Sequence, residues 1–406
     1  MTRHFLFVLW FSALCDICSL GAQNDNFVVT FNKSIACEKN NDIIGALRSM
    51  KELKDSTRYE AILRYGWLNY KAGFKKKSIS YYNRAIAMKP NAVEPRMGLS
   101  YPAYLLEAYE ELKANYQKII EIDPNNKSAN FNLALVYYYN KEYDKALPYL
   151  LKMEEFYPFD YDNGINLAWT YLRLDKKAEA EKYFKIVLLY SPFDALALEG
   201  LTAISASSTD SEPMELAFQK SYELSNKSDY KAAGEALKAV YDKNNYAINL
   251  RLGWLSYMLG QYTDAANYYK IANGLEPKSI EAKQGCALAL SGLGNKNEEM
   301  GFHKSILSLD ANNTLALYNA GKIYFEQKDY QSAAKQFEAI LSLYPFDYSS
   351  LLMMGWTHYQ LGNTSQSRDM FNKVLAQAAN DKSAILGLNS RPLEELRNQE
   401  KPIKAK

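Results

Sequence analysis

A period of 34 residues constrains the fold of this 406-residue chain more than any other feature. If a recurring proline is taken as position 32 of each repeat, position 8 is small, position 20 is usually small and position 24 is usually large. Small residues let two antiparallel helices approach closely, and a large side chain fills the gap beside them. The pattern therefore predicts stacked two-helix units, each ended by its proline. The prolines are Pro90, Pro124, Pro158, Pro192, Pro277 and Pro345.

This pattern resembles that of the tetratricopeptide repeat (TPR) family over about residues 27–391. Position 8 holds Ser34, Gly66, Gly98, Ala134, Ala168, Ser221, Gly253, Gly285, Gly321 and Gly355. Position 24 holds Tyr82, Tyr116, Leu150, Phe184, Tyr269, Phe337 and Phe371. The aromatic residue usual at position 4 of the family is mostly missing. The resemblance implies an all-α solenoid of helix-turn-helix units, wound into a right-handed superhelix whose first helices line a concave groove.

A second regularity shows that the chain is an internal duplication. Shifting the sequence by 187 residues aligns it with itself without a gap, so that residues 157–161 fall on 344–348 and Trp67 falls on Trp254. The shift equals five two-helix units and one further helix, which predicts blocks of about eleven helices. We place TPR block 1 at residues 23–206, a polar linker at 207–213, TPR block 2 at 214–391 and a charged, frayed tail at 392–406.

The first 22 residues have the features of a signal peptide. A short cationic start precedes an apolar run up to Cys15, too short for the ~20 residues that span a bilayer. We expect cleavage after Ala22, an exported chain in the periplasm or outside the cell, and no transmembrane segment in the mature chain. Acylation of Cys15 or Cys18 is the less favoured alternative, because a large residue precedes each of them.

The composition argues against several classes of function. Lys+Arg 48 against Asp+Glu 46 gives a net charge of +2, which excludes a strongly basic nucleic-acid binder. No phosphate-binding loop, nucleophile elbow or dinucleotide fingerprint occurs in the sequence. His303 and His358 fall at packing positions, where we expect satisfied core histidines, and Cys37 and Cys286 are interpreted as small buried residues rather than a disulfide. The sequence therefore predicts a non-catalytic protein without a metal or cofactor.

The four tryptophans that remain after export all occupy position 9 of their repeats. At 100° per residue, position 9 points away from the packing positions 4, 7 and 11, on a face shared with positions 5 and 12 and adjoined by position 6. We expect this face to be a ligand-binding groove, in which rigid rings give contact area at low entropic cost. The alternative is that the tryptophans only pack between neighbouring first helices. The predicted groove residues are Arg64, Trp67, Tyr70, Phe131, Asn132, Tyr138, Asn166, Trp169, Arg251, Trp254, Tyr257, Tyr318, Asn319, Phe325, Trp356 and Tyr359.

Two functions are consistent with such a groove. The resemblance to TPR proteins implies a non-catalytic exported scaffold or adaptor that binds protein partners or extended peptides through its concave grooves. The alternative is a glycan-binding accessory protein of envelope exopolysaccharide assembly or export, because sugar rings stack on indoles. Intrinsic tryptophan fluorescence should separate the two, since peptides would change it in the first case and soluble glycans in the second.

Overall fold

A computed structural model describes residues 26–53, 57–204 and 213–391 of the chain. Within these ranges there are 22 α-helices, one short 3-10 helix at Lys51–Leu53 and no strand. The all-α fold class is thus confirmed, as are the eleven helices predicted for each block. The predicted signal peptide, most of the linker and the charged tail lie outside the described residues.

The helices are numbered in chain order, and each block contains eleven of them within the described ranges. Those of the first block are α1 (Asn26–Lys39), α2 (Ile43–Ser49), α3 (Tyr59–Lys71), α4 (Lys75–Met88), α5 (Glu94–Leu105), α6 (Tyr109–Ile122), α7 (Lys127–Tyr139), α8 (Tyr143–Phe156), α9 (Tyr161–Arg173), α10 (Lys177–Tyr190) and α11 (Ala195–Ala203). Those of the second block are α12 (Pro213–Asn226), α13 (Tyr230–Lys238), α14 (Tyr246–Met258), α15 (Tyr262–Leu275), α16 (Ile280–Gly292), α17 (Lys296–Leu309), α18 (Thr314–Glu326), α19 (Tyr330–Leu343), α20 (Tyr348–Leu361), α21 (Thr364–Gln377) and α22 (Lys382–Asn389).

The large ring at position 24 is held between the small residues of two successive first helices. A Cβ built on Gly253 of α14 would lie 2.8 Å from the ring of Tyr269, and one on Gly285 of α16 would lie 2.4 Å from it. Phe371 is enclosed in the same way between Gly355 and Gly387. Real Cβ atoms do not approach a ring so closely, so the small residues are required by packing, as the sequence pattern predicts.

The start of most first helices is fixed by a side-chain hydrogen bond, although α3 and α5 have none. Asp160 and Asp347 accept the backbone N–H groups of Asn163 and Ser350 at 2.9 and 2.8 Å, which is the N-cap role expected of aspartates that follow the proline. The residue at position 1 then bonds to the cap of the next first helix. Four such bonds join consecutive repeats, and they are Lys127 to Asp160, Tyr161 to Asp194, Tyr246 to Ser279 and Tyr348 to Asp381.

The helices form two compact units, and each unit takes helices from both blocks. Of the described residues, unit 1 comprises those up to Leu106 and from Tyr324 onward, and unit 2 comprises those within Glu107–Ile323. In unit 1, α1 packs on α21, and the Nδ2 of Asn32 donates a hydrogen bond to the carbonyl oxygen of Leu375 at 3.1 Å. This contact joins residues at opposite ends of the chain, and a 34-residue period does not predict it.

Unit 2 contains the equivalent packing of α10 on α12. Phe159, in the turn before α9, adds a ring contact to it, 6.0 Å from the ring of Phe218 on α12. The turns before α7 and α18 also exchange hydrogen bonds. Asn125 donates to the carbonyl oxygen of Leu309 at 2.9 Å, and Asn312 donates to that of Ile122 at 3.4 Å. Asn125 is the duplicated equivalent of Asn312, and Ile122 is that of Leu309. Within unit 2 each duplicated segment therefore makes the same hydrogen bond to the other.

Candidate functional site

All sixteen predicted groove residues are half-buried, and they lie on the first helices α3, α7, α9, α14, α18 and α20. Part of each side chain is therefore accessible and part packs against the protein. Unit 1 holds Arg64, Trp67, Tyr70, Phe325, Trp356 and Tyr359, and unit 2 holds the other ten.

In unit 1, the predicted residues of α3 form a cluster around a glutamate of α1. The indole Nε1 of Trp67 donates to Glu38 at 2.7 Å, and Arg64 forms an ion pair with the same carboxylate at 2.5 Å. Arg64 also donates to the Oγ of Ser34 at 3.1 and 3.2 Å. Trp67 thus contacts the neighbouring first helix while one part of its ring remains exposed.

The aromatic rings of unit 1 continue from this cluster. The ring of Tyr70 lies 5.7 Å from that of Trp67 and 5.7 Å from that of Tyr101 on α5. On α20, Trp356 donates to the Oγ of Ser383 at 2.8 Å, and its ring lies 5.7 Å from that of Tyr359. In both tryptophans the N–H is used inside the protein, so the accessible part is the ring.

In unit 2, the predicted residues on α7 and α9 do not form a polar cluster. The amides of Asn132 and Asn166 each donate to a backbone carbonyl of their own helix, at 2.7 and 2.8 Å. Trp169 packs edge-on against Phe184 at 5.4 Å, and Tyr138 lies 5.3 Å from Tyr143. Two further predicted residues of unit 2 lie beside rings or cations, Tyr257 beside Tyr262 and Tyr318 beside Lys322. In unit 1, Phe325 lies beside Tyr330.

Three predicted residues of unit 2, Arg251, Trp254 and Asn319, line one cleft of about 680 Å³. Its walls come from α12 and α14–α18 together with the turn before α9 and the end of α10. A volume of this size is within the range of ligand-binding pockets. The cleft is therefore the part of the predicted groove that the structure assembles into a defined site.

Arg251 is held rigidly at the side of this cleft. Its guanidinium lies 4.0 Å from the ring centre of Tyr222 and 4.6 Å from that of Trp254. It also donates hydrogen bonds to Ser221 and Ser225 of α12. Burial lowers the pKa of Arg251, but an arginine remains charged at neutral pH. The stacked cation fixes the indole of Trp254 beside the cleft.

The sequence interpretation missed three ionisable residues that line the cleft, Glu281, Glu299 and His303. Glu281 accepts a hydrogen bond from the hydroxyl of Tyr246 at 3.3 Å, and burial raises its pKa to about 7. Its equivalent in unit 1, Glu94, also has a pKa raised by burial to about 7. Both glutamates occupy position 4, so the missing position-4 aromatic was the available signal.

The prediction of satisfied core histidines is wrong for His303. The residue is 3% exposed, as a packing position requires, yet among the described residues neither ring nitrogen has a hydrogen-bond partner. Its Nε2 lies 3.7 Å from an oxygen of Glu299, beyond hydrogen-bond distance. Burial lowers the pKa of His303 to about 4, so the imidazole is neutral at pH 7. His358 is half-buried, and its Nδ1 lies 3.3 Å from the Nδ2 of Asn363.

Metal binding has no candidate site in the part of the chain that the structure describes. There, no group of three or more histidine, cysteine, aspartate or glutamate side chains is arranged to hold a metal ion. Cys37 is half-buried and Cys286 is buried, and both are free thiols. Among the described helices, none combines the length and the apolar character needed to cross a bilayer.

Comparison with known families agrees with this architecture. Sequence profiles described as tetratricopeptide repeat match residues 115–147, 165–194, 218–279 and 324–391. These segments of the chain are tetratricopeptide repeats, a helical scaffold typical of protein–protein interaction. No curated protein matches the sequence.

Solved structures with a similar helical arrangement include MamA residues 41 to the end from Desulfovibrio magneticus RS-1. The two are 16% identical over 43% of this chain and 100% of that chain, with a TM-score of 0.39. A chain of the APC/C hetero-tetramer Cut9–Hcn1 is 13% identical over 88% of this chain and 82% of that chain, with a TM-score of 0.36. A chain of the Naa15/Naa10 complex bound to HypK-THB is 12% identical over 92% and 70%, with a TM-score of 0.34. At these values the likeness carries no conclusion about function.

Proposed function

We propose that this chain is a non-catalytic TPR scaffold that binds an extended segment of a protein partner along its first helices. The observation that carries the proposal is that all sixteen predicted groove residues are half-buried. Eleven of the sixteen are aromatic, and these rings are held in place by contacts within the protein while still presenting one accessible part. Rigid rings of this kind bind ligands at low entropic cost.

A location in the cell envelope is part of the same proposal. It rests on the amino-acid pattern of residues 1–22 alone, with its cationic start and short apolar run. Determination of the N-terminal residue of the mature protein tests it. A mature chain that starts near Gln23 supports export, and a chain that retains its first residues in the cytoplasm contradicts it.

Substitution of the position-9 tryptophans tests the binding face. Full-length protein is immobilised and screened against a library of random unstructured peptides, and selected peptides are then titrated by intrinsic tryptophan fluorescence. Trp67→Ala and Trp254→Ala should abolish peptide binding while the melting temperature falls by only a few degrees. The matched control is Phe193→Ala, because Phe193 is a ring 73% exposed outside the predicted face, and it should bind as the unaltered chain does.

Two other outcomes would change the assignment. If both tryptophan variants lose much of their stability, the rings serve packing between first helices, as the contacts of Trp67 with Glu38 and of Trp356 with Ser383 allow. If soluble hexasaccharides of glucose or N-acetylglucosamine shift the fluorescence and no peptide does, the glycan-binding alternative replaces the peptide proposal.

A further inference from the structure

We propose that the cleft of unit 2 binds an organic cation, an ammonium or guanidinium group, with Glu281 as its counter-ion and His303 as a neutral hydrogen-bond acceptor. The cation can be carried by a lysine or arginine side chain of the bound segment, in which case this proposal rests on the proposed function, or by a free small amine. Both sources present the same chemistry to the cleft, a positive charge with several N–H donors.

The two cations that line the cleft, Arg251 and Lys322, have their contacts with groups other than Glu281. The guanidinium of Arg251 is stacked between Tyr222 and Trp254 and donates to serines of α12. Lys322 is exposed, with its Nζ 5.9 Å from the ring centre of Tyr318. Among the described residues, neither cation forms an ion pair with the carboxylate of Glu281, and neither is among the groups that shift its pKa.

Glu281 lacks a counter-ion of its own. Among the described residues no lysine or arginine nitrogen lies within 4 Å of its oxygens, and the hydroxyl of Tyr246 donates the hydrogen bond that it accepts. Its pKa is raised to about 7, mainly by burial and further by Asp160, while Lys127 acts in the opposite direction. A buried carboxyl group in this state gains more from a bound cation than an exposed one would.

His303 supplies the second half of the site. It is 3% exposed, and its two ring nitrogens have no hydrogen-bond partner among the described residues although the side chain lines the cleft. Leaving a buried polar group unpaired is unfavourable, because the group has lost its water without gaining a partner. Since the imidazole is neutral at pH 7, one nitrogen carries a lone pair that can accept an N–H of the ligand. A cationic ligand would satisfy this acceptor and Glu281 together.

The aromatic walls of the cleft suit the same ligand. The rings of Trp254, Tyr269 and Tyr190 line it, and the faces of such rings attract cations. The hydroxyl of Tyr190 is buried and has no hydrogen-bond partner among the described residues, so a second acceptor is available for a ligand with several N–H groups. A guanidinium carries five such donors.

The test uses full-length protein and three defined probes in isothermal titration. N-acetyl-arginine amide represents a peptide side chain, agmatine represents a free amine, and N-acetyl-citrulline amide is the uncharged control of equal shape. We expect the citrulline compound to bind at least about tenfold more weakly than the arginine compound. Tighter binding of agmatine than of the arginine amide would assign a free amine, and the reverse order would assign a peptide side chain.

Two variants and a matched control locate the binding. Glu281→Gln should reduce the affinity for the arginine amide about tenfold or more, and His303→Phe should reduce it several-fold. The control is Glu94→Gln, because Glu94 is the duplicated equivalent of Glu281 and accepts hydrogen bonds from Tyr59 and from the backbone N–H of Phe346. This variant should bind the arginine amide as the unaltered chain does.

The pH dependence gives a readout that a purely structural role would not produce. Binding a cation requires ionised Glu281, so the affinity should fall by up to about tenfold per pH unit below pH 7. In Glu281→Gln the dependence between pH 6 and 8 should disappear. The other charged or titratable groups near the cleft are Asp160, Lys127, Glu299, His303, Arg251, Lys322 and the tyrosines Tyr190, Tyr222, Tyr246 and Tyr269. None of those whose pKa is shifted by burial titrates between these pH values.

Equal binding of the arginine and citrulline compounds, or an equal loss in Glu281→Gln and Glu94→Gln, would overturn the proposal. These results are separable from the fate of the proposed function. Selected peptides without lysine or arginine that still require Trp254, in a chain that binds neither the arginine amide nor agmatine, would leave the scaffold function intact and refute the cation site. Agmatine binding in a chain that selects no peptide would support the cation site and refute the scaffold function.

Discussion

Glu94 in unit 1 and Glu281 in unit 2 are related by the shift of 187 residues, and their surroundings differ. The carboxylate of Glu94 accepts hydrogen bonds from Tyr59 at 3.1 Å and from the backbone N–H of Phe346 at 3.2 Å. That of Glu281 accepts only from Tyr246 among the described residues and opens into the cleft. The same tyrosine–glutamate pair is therefore closed by the protein in one unit and left open in the other.

A few substitutions between the duplicated blocks account for this difference. Gln377 donates to the carbonyl oxygen of Phe346 at 3.0 Å and so fixes the backbone that closes over Glu94. The equivalent of Gln377 is Tyr190, whose ring instead stacks on Phe159 at 3.7 Å and lines the cleft. Duplication thus preserved the helices, while changes at the end of α10 and on α17 opened the cleft in only one unit.

The largest expected effect compares how tightly the position-24 tyrosine is packed in the two units, Tyr82 in unit 1 and Tyr269 in unit 2. A Cβ at Gly98 would lie 2.4 Å from the ring of Tyr82, and one at Gly285 would lie 2.4 Å from that of Tyr269. Because Tyr269 lines the cleft, we expect its ring to shift toward it, so that Gly285→Ala should lower the free energy of unfolding by about 1 kcal/mol and Gly98→Ala by about 3 kcal/mol. Urea denaturation measures both.

The control for these variants is Gly274→Ala, where an added Cβ meets no other atom. It should be neutral or stabilising, because alanine favours a helix by about 1 kcal/mol over glycine. Equal losses in Gly98→Ala and Gly285→Ala would show that the cleft gives Tyr269 no extra freedom.

The second prediction concerns the closed glutamate and the pH dependence of stability. The pKa of Glu94 is about 7 in the folded chain and 4.5 in its reference state, and burial is the main cause. The contribution of Glu94 to stability is therefore fully present below pH 4.5 and lost as the pH rises through 7. Glu94→Gln keeps an oxygen acceptor but carries no charge, so it avoids the cost of a buried carboxylate. Above pH 7 this variant should therefore be more stable than the unaltered chain by about 2 kcal/mol.

Thermal unfolding of both proteins from pH 4.5 to 8 measures this effect. The stability difference between Glu94→Gln and the unaltered chain should shrink as the pH falls and be least near pH 4.5. A difference that is constant across this range would mean that Glu94 titrates normally and is not buried as described.

The third prediction compares the two equivalent arginines. Arg64 pairs with Glu38 at 2.5 Å, whereas Arg251 faces Ser225, the duplicated equivalent of Glu38. Arg64→Met leaves a partly buried carboxylate without its cation and should lower the free energy of unfolding by about 2 kcal/mol. Arg251→Met leaves no such charge and should lower it by about 1 kcal/mol or less.

Chemical denaturation of the two methionine variants at low and high salt checks this difference. Added salt should reduce the loss in Arg64→Met, because it screens the charge left on Glu38, and should change Arg251→Met little. A larger loss in Arg251→Met than in Arg64→Met would indicate that stacking on Tyr222 and Trp254 outweighs the ion pair.

The architecture was largely predictable from the sequence because it depends on local spacing. Small residues at position 8, rings at position 24 and the aspartate caps recur at fixed intervals, and the structure shows the contacts that the spacing requires, as for Tyr269 between Gly253 and Gly285. Contacts between distant segments were not predictable. The packing of α1 on α21 and the hydrogen bonds of Asn125 and Asn312 have no periodic signature.

The candidate site was predictable only in part. Helical spacing placed Arg251, Trp254 and Asn319 on one face, and the structure brings all three to the cleft. Glu299 and His303 were not expected there, because positions 20 and 24 were assigned to packing. The usable signal was a comparison of the two blocks. Glu299 and His303 stand where the other block has Leu112 and Tyr116, so an acid and an imidazole replace two packing residues.

The smallest expected effect concerns His303 and connects stability to binding. His303→Phe removes two buried nitrogens that lack hydrogen-bond partners among the described residues, so at pH 7 it should be as stable as the unaltered chain or more stable by about 1 kcal/mol. Because burial lowers the pKa of His303 from 6.5 to about 4, the unaltered chain loses stability as the pH falls through this range, and the phenylalanine variant should not share that loss. Thermal unfolding at pH 7 and pH 5 measures both effects. A destabilised variant would indicate that the imidazole serves packing, whereas a stable variant that binds the arginine amide poorly would mean that the chain retains an unpaired imidazole for its ligand at a cost in stability.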